Sequence, residues 1–306
     1  MIHMVSLPAL AIIVAAFLWA VEGVVLLPQL GMLDVALVVF LLHLLGFGIL
    51  QTFSWKEYRY LVRFTREDYI YLGLIALFGG ALGTIAIVKA LFLVNFNHLS
   101  IVVLLQKLQP VFAILLAFVL LKERPRTSFY GWAGVAIIAS YVMTFGLRVP
   151  DLTHDNLALA AAFALLAAFS FGGSTVLSRR MAVKYPFRTM VFYRYGFTSL
   201  LLFVYLFITG GLIVQSLSSL QWSLLFLIPL TTGLGSMFLY YYGLRKVKAS
   251  VSTICELFFP LSAIVLDYVL HGTMLSLLQW TGVGVLLFAI YKISSVRQRT
   301  SPVTKS

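Results

Sequence analysis

The chain has 306 residues; 61% are hydrophobic, only 10% are charged, and the formal net charge is +12 with a single cysteine. A soluble domain carries about 25% charged residues, so a water-soluble globular protein is excluded. The positive balance does not indicate nucleic acid, because the basic residues lie in short loops between apolar runs, and the lone Cys255 allows no intrachain disulfide and suggests no metal site.

A helix needs roughly 20 apolar residues to cross the hydrocarbon core. Ten runs qualify: 9–28, 34–54, 69–94, 98–121, 128–147, 156–178, 188–209, 222–244, 249–270 and 276–294. The first is too long for a signal-peptide core, has no basic residue ahead of it and leads into Pro28, so it reads as a retained span. Pro28-Gln29-Leu30-Gly31, Lys122-Glu123-Arg124-Pro125 and Gly210-Gly211 are breaks with helix-stop chemistry.

The loops then set the orientation. With a cytoplasmic N-terminus, the inner loops hold Lys56, Arg59, Arg63 and Arg66, then Lys122, Arg124 and Arg126, then Arg179, Arg180, Lys184 and Arg188, then Arg245, Lys246 and Lys248. The tail adds Lys292, Arg297, Arg299 and Lys305, whereas the outer loops hold only Arg148, beside Asp151 and Asp155. Positive charge is retained on the cytoplasmic side, so both termini are expected there, in the plasma membrane (the inner membrane of a bacterium).

The chain also repeats itself. Gln109-Pro110-Val111-Phe112-Ala113-Ile114-Leu115-Leu116 is echoed by Phe259-Pro260-Leu261-Ser262-Ala263-Ile264-Val265-Leu266. Leu82-Gly83-Thr84 answers to Leu234-Gly235-Ser236, Ala15-Ala16-Phe17-Leu18-Trp19 to Ala167-Ala168-Phe169-Ser170-Phe171, and Trp132-Ala133-Gly134-Val135 to Trp280-Thr281-Gly282-Val283. The order is preserved, and ten spans give five to each copy. An odd number makes the second copy enter the membrane from the opposite side. The expected fold is an all-α integral membrane protein of ten transmembrane helices, arranged as two inverted five-helix repeats. The expected units are 1–147, a connecting outer loop at 148–155, a second repeat at 156–294 and a basic cytoplasmic tail at 295–306.

Two five-helix halves, the apolar helix with Pro110, and the closing Leu120-Leu121-Lys122-Glu123-Arg124-Pro125 together resemble the EamA domain of the drug/metabolite transporter superfamily. The resemblance covers nearly the whole chain and departs where His271-Gly272-Thr273 replaces the Lys-Glu-Arg ending, leaving Glu123 without a counterpart. It implies a secondary carrier for small metabolites, amino acids or drugs.

Ionisable groups at membrane depth are costly unless paired, hydrated or turned into a cavity. Six stand out: Glu22, His43, Lys89, Lys107, Arg194 and Glu256. Lys107 lies one turn before Pro110, and a proline frees the carbonyl four residues back, that of Gln106. Glu256 stands at the same place before Pro260. The spacing predicts equivalent helix kinks at Pro110 and Pro260, flanked by Lys107 and Glu256. On this reading Glu22 and Glu256 face a cationic group or carry a coupling proton, and Lys89 or Lys107 receives a carboxylate or phosphate; the competing reading is that these groups form ion pairs fixing helix register. Trp19, one turn from Glu22, and Tyr241, at the repeat position of Lys89, are the aromatic candidates. His43 reads either as a proton relay or as an interhelical hydrogen bond, and Arg194 as an anchor snorkelling to the inner surface.

The expected function is secondary transport of a small polar or zwitterionic metabolite, an amino acid or amine, by alternating access, with protons a candidate coupling ion. The alternatives are a flippase of a lipid-linked intermediate and, less favoured, an integral-membrane enzyme. Against the enzyme stand the missing His-Glu-x-x-His and Gly-x-Ser-x-Gly motifs; the missing Walker sequence argues against an ATP-driven pump. No cofactor, metal or nucleic acid is expected; the partners are a small-molecule substrate and the lipid bilayer, for a monomer or homodimer.

Overall fold

The computed structural model describes residues 6–30, 33–93, 105–106, 108–147, 157–212, 217–271 and 276–295. The first half contains α1 (Leu7–Val21), α2 (Val35–Ser54), α3 (Arg66–Ala76), α4 (Gly83–Leu93), α5 (Gln109–Leu120) and α6 (Thr127–Phe145). The second contains α7 (Leu157–Lys184), α8 (Phe187–Thr209), α9 (Ser219–Ile228), α10 (Leu234–Leu244), α11 (Ala249–Cys255), α12 (Phe258–His271) and α13 (Leu277–Ser295). Among the described residues there are no strands, and eight helical stretches are long and apolar enough to cross a membrane, with two shorter apolar helices beside them. That is the two-repeat, ten-span architecture. Helices satisfy every interior peptide group within one segment, which lipid demands.

Local chemistry ends the helices where the sequence breaks. Asp34 accepts the Leu37 amide at 2.9 Å and caps α2. Thr65 and Asp68 form a capping box on α3, as Ser218 and Gln221 do on α9. Gly210 closes α8 in the left-handed conformation, φ 71°, which glycine adopts without a Cβ penalty.

Packing shows how the repeats interlock. Helix α4 packs on α7, and its counterpart α10 packs on α1; α5 packs on α7, and its counterpart α12 packs on α1. The pairs α2–α8 and α6–α13 join equivalent helices directly. Each half therefore completes the other. Ala15 and Ala16 and their echoes Ala167 and Ala168 are fully buried, because only small residues let backbones approach this closely. A Cβ on Gly172 would stand 2.9 Å from the Gln109 carbonyl.

Among the described residues, three spans contain a π-turn, which the periodicity did not reveal. A π-turn follows α1 (Glu22–Leu26), another joins α3 to α4 (Leu77–Leu82), and a third joins α9 to α10 (Pro229–Gly233). The last two occupy repeat-equivalent positions, beside the Leu-Gly-Thr and Leu-Gly-Ser echo. Such turns widen the helix and cluster at functional sites.

At the end carrying the basic loops, four carboxylates of the first half bond to the second. Glu57 accepts from Thr189 Oγ1 at 2.6 Å, and Asp68 from Lys184 Nζ at 2.7 Å and Tyr185 Oη at 2.7 Å. Burial and then the Asp68 contact hold the Tyr185 phenol well above the ordinary tyrosine range, so it stays a donor. Glu67 lies 3.7 Å from Arg180, on an exposed edge. Glu123 accepts from the amides of Ala249 and Ser250 at 2.8 and 3.1 Å and from Ser250 Oγ at 2.7 Å. Helix α11 has no cap of its own at Lys248, and Glu123 supplies one from the other repeat. Replacing Glu123 with Ala is expected to lower stability by about 1–2 kcal/mol, read as a lower melting temperature of the purified protein in detergent. The exposed Glu67→Ala change is expected to shift it by under about 0.5 kcal/mol.

Candidate functional site

The two proline-bearing segments meet inside the bundle. Pro260 predicts a kink in a continuous helix; the structure instead interrupts the helix for two residues. Helix α11 stops at Cys255, α12 starts at Phe258, and Glu256 sits in the gap. Its carbonyl is not left free for a ligand, because the Phe259 amide donates to it at 3.0 Å. In the first half, α5 starts at Gln109 with Pro110 next, where proline's missing N–H costs nothing.

Across this meeting point, Gln109 Nε2 donates to Glu256 Oε2 at 3.1 Å. Ser252 Oγ and Thr175 Oγ1 approach Glu256 Oε1 at 3.0 and 3.5 Å, and Tyr240 Oη donates to Thr175 at 3.1 Å. Donors from both repeats thus solvate one carboxylate. Among the described residues the ion pairs are Lys184–Asp68 and Arg180–Glu67, so neither Glu256 nor Glu22 has a described cation in contact.

A cavity opens beside this cluster in two adjoining lobes of about 280 and 250 Å³ that share Gln106, Gln109, Glu256 and Phe259. The larger lobe has aromatic walls, Trp19, Phe171, Tyr240 and Phe259, and Trp19 lies 5.3 Å from Tyr240 between ring centroids. Trp19 and Phe171 are repeat equivalents. The smaller lobe runs past Pro110 and Pro260 along α12 to Ile264, away from the basic end.

Of the residues the sequence singled out, Glu256, Trp19, Pro110 and Pro260 line the cavity. Glu22 lies off its lining, half-buried at the start of the first π-turn and beside the Thr232 hydroxyl of the third. His43 donates from Nδ1 to the Val39 carbonyl of its own helix at 2.8 Å rather than between helices, and its ring centroid lies 4.9 Å from that of Tyr195, tilted by 37°. Tyr241 is fully buried behind the lobe, 3.1 Å from Ser178 Oγ. Lys89 is exposed, 6.0 Å from the centroid of the Phe163 ring and apart from the cavity. Lys107 lies outside the described residues.

Arg194 differs most from its sequence reading. It does not snorkel to the surface: it is 9% exposed and lines the larger lobe. Nη2 donates to the Gly79 carbonyl in the second π-turn at 3.0 Å, and Nη1 reaches Ser174 Oγ and Tyr241 Oη at 3.4 Å each. These acceptors turn the guanidinium inward, and Gly79 makes room for it. A Cβ there would overlap Ser174 Oγ and stand 2.8 and 2.9 Å from the two terminal nitrogens.

Sequence reasoning also passed over Gln109, Thr175 and Tyr240. Gln109 is the residue before Pro110, and Thr175 follows the Ser174 that matches Glu22. In the Tyr240-Tyr241-Tyr242 run, one residue of helix turns a side chain by about 100°, and repeat alignment alone favoured Tyr241.

The EamA-like transporter family model matches residues 6–145 and again 158–295, both halves in turn. The chain belongs to the EamA-like transporter family. It is a small-molecule transporter of the drug/metabolite transporter superfamily and not an enzyme. It is similar to the riboflavin transporter ImpX of Fusobacterium nucleatum, 42% identical over 94% of this chain and 97% of that protein. It also resembles the uncharacterized transporter YwfM of Bacillus subtilis, 29% identical over 63% of this chain and 64% of that one. A solved crystal structure with 16% identity shares the fold, with a TM-score of 0.73, covering 95% of this chain and 98% of that one.

The fit of Arg194 against Gly79 gives a test of the site's packing. Gly79→Ala is expected to cost about 1–3 kcal/mol by overpacking. Gly48→Ala on α2, where a new Cβ meets nothing within 4 Å, should be neutral or stabilising by up to about 1 kcal/mol. Melting curves of the two variants in the same detergent separate the outcomes.

Proposed function

We propose that this protein is a secondary carrier that moves riboflavin, or a closely similar flat and polar ring compound, across the plasma membrane by alternating access. The observation that carries the reading is the 42% identity to ImpX, named a riboflavin transporter, over nearly the full length of both chains. The cavity chemistry supports it. Trp19, Phe171, Tyr240 and Phe259 offer ring faces, while Gln106, Gln109, Thr175 and Glu256 offer hydrogen-bonding groups. Each lobe approaches the lower end of the roughly 300–1,000 Å³ of small-molecule sites. Four aromatic walls suit a ring-bearing solute better than a small aliphatic amine or amino acid.

The basic loops support cytoplasmic placement of both ends. The carboxylate bonds at that face, from Glu57, Asp68 and Glu123, then hold the inner side shut, and the smaller lobe extends toward the outer side. Exchanging these roles between inverted repeats is the alternating-access step. Glu22 is the proposed proton site: an intramembrane carboxylate next to a hydroxyl, without a described cation and apart from the cargo cavity.

Purified protein in proteoliposomes should take up labelled riboflavin, and binding should quench flavin fluorescence. Trp19→Ala should weaken binding roughly tenfold, the scale of one lost stacking contact. A wild-type protein that neither binds nor moves riboflavin would remove the flavin reading. Glu22→Gln should abolish the response of net uptake to an imposed pH gradient while sparing riboflavin exchange. Gradient-driven uptake unchanged in that variant would exclude Glu22 as the proton site.

A further inference from the structure

Arg194 is the charged group in the larger lobe that the fold leaves least satisfied. A guanidinium offers five N–H donors in a planar fork. Here one makes a bond of ordinary length, to Gly79 O at 3.0 Å, and two reach hydroxyls at 3.4 Å, near the limit for a hydrogen bond. The buried Nε has no partner among the described residues. No described carboxylate lies within ion-pair distance, although Glu256 lines the same lobe. Burying an unpaired cation is expensive, and a buried donor without an acceptor costs more than a satisfied one returns. The lobe therefore presents a donor group at Arg194 and an acceptor group at Glu256, held apart by protein rather than joined.

We propose that Arg194 is the specificity-determining residue of the cavity, its free donors receiving a hydrogen-bond-accepting edge of the cargo. In the flavin reading, on which this assignment rests, that edge is a carbonyl of the pyrimidinedione ring. The dione presents two carbonyl acceptors flanking an N–H donor, and the lobe presents the complementary pair, Arg194 to donate to a carbonyl oxygen and Glu256 to accept from the N–H. The second-half π-turn carries no arginine contact of this kind among the described bonds, so the recognition element belongs to one repeat only. A site built to bond such an edge rejects analogues that lack it far more strongly than an apolar pocket does.

The full-length protein in detergent tests this with two probes: riboflavin, and phenazine, a tricyclic ring without the dione. Arg194→Met should weaken riboflavin binding about 10- to 100-fold and leave phenazine binding within about twofold, while Arg194→Lys keeps part of the riboflavin affinity. Arg194 also supports the Gly79 turn, and a purely structural role would lower both affinities together. That result, or riboflavin binding unaltered in Arg194→Met, overturns the assignment while the flavin reading stands. Wild-type protein that binds phenazine but not riboflavin overturns the flavin reading and the dione assignment together.

Discussion

A carboxylate deep in a lipid-embedded bundle has to be solvated by protein, and the arrangement of this molecule turns on how Glu256 is solvated. Its partners come from α5, α7 and α11, which bring both repeats to one point. The break itself follows from Pro260, which has no N–H for the Glu256 carbonyl four residues back. The Glu256 amide and carbonyl still bond to Ser252 and Phe259 in their own segment, and its side chain at the break is within reach of Gln109. The breaks, the cross-repeat bond and the cavity are one construction.

Around it the two halves share geometry and differ in chemistry. The π-turns at Leu77–Leu82 and Pro229–Gly233 are equivalent, yet one meets Arg194 and the other lies beside Glu22. Trp19 matches Phe171, and Gln106 matches Glu256. Symmetric backbones give two halves that can exchange roles in a transport cycle; asymmetric side chains give the cavity a direction. The same division holds at the basic end. The carboxylates Glu57, Glu67, Asp68 and Glu123 all belong to the first repeat, and each bonds across to a partner in the second.

Much of this was legible in the sequence. The ten apolar runs, the five-and-five duplication and the Pro110–Pro260 echo each depend on composition or spacing, which lipid and the repeat make strongly patterned. Glu256 could be singled out because a charge before a proline is conspicuous in an apolar span, and Trp19 because it stands one turn from Glu22. Arg194 was visible as a charge within a span, but a long side chain can reach either water or the interior. Its actual direction depends on Gly79 and Ser174, residues from two other helices.

Composition and spacing specify the fold class and the duplication and point to the segments of the candidate site, because hydrophobic length and repeat order are one-dimensional properties. Tertiary structure alone decided which face of each helix met the cavity. It put Tyr240 rather than Tyr241 on the lining, joined Gln109 to Glu256 and turned Arg194 inward. Those outcomes depend on helix rotation and on contacts between residues up to 147 positions apart. No local pattern encodes such contacts, because the partners that fix each rotamer lie in the other half of the chain.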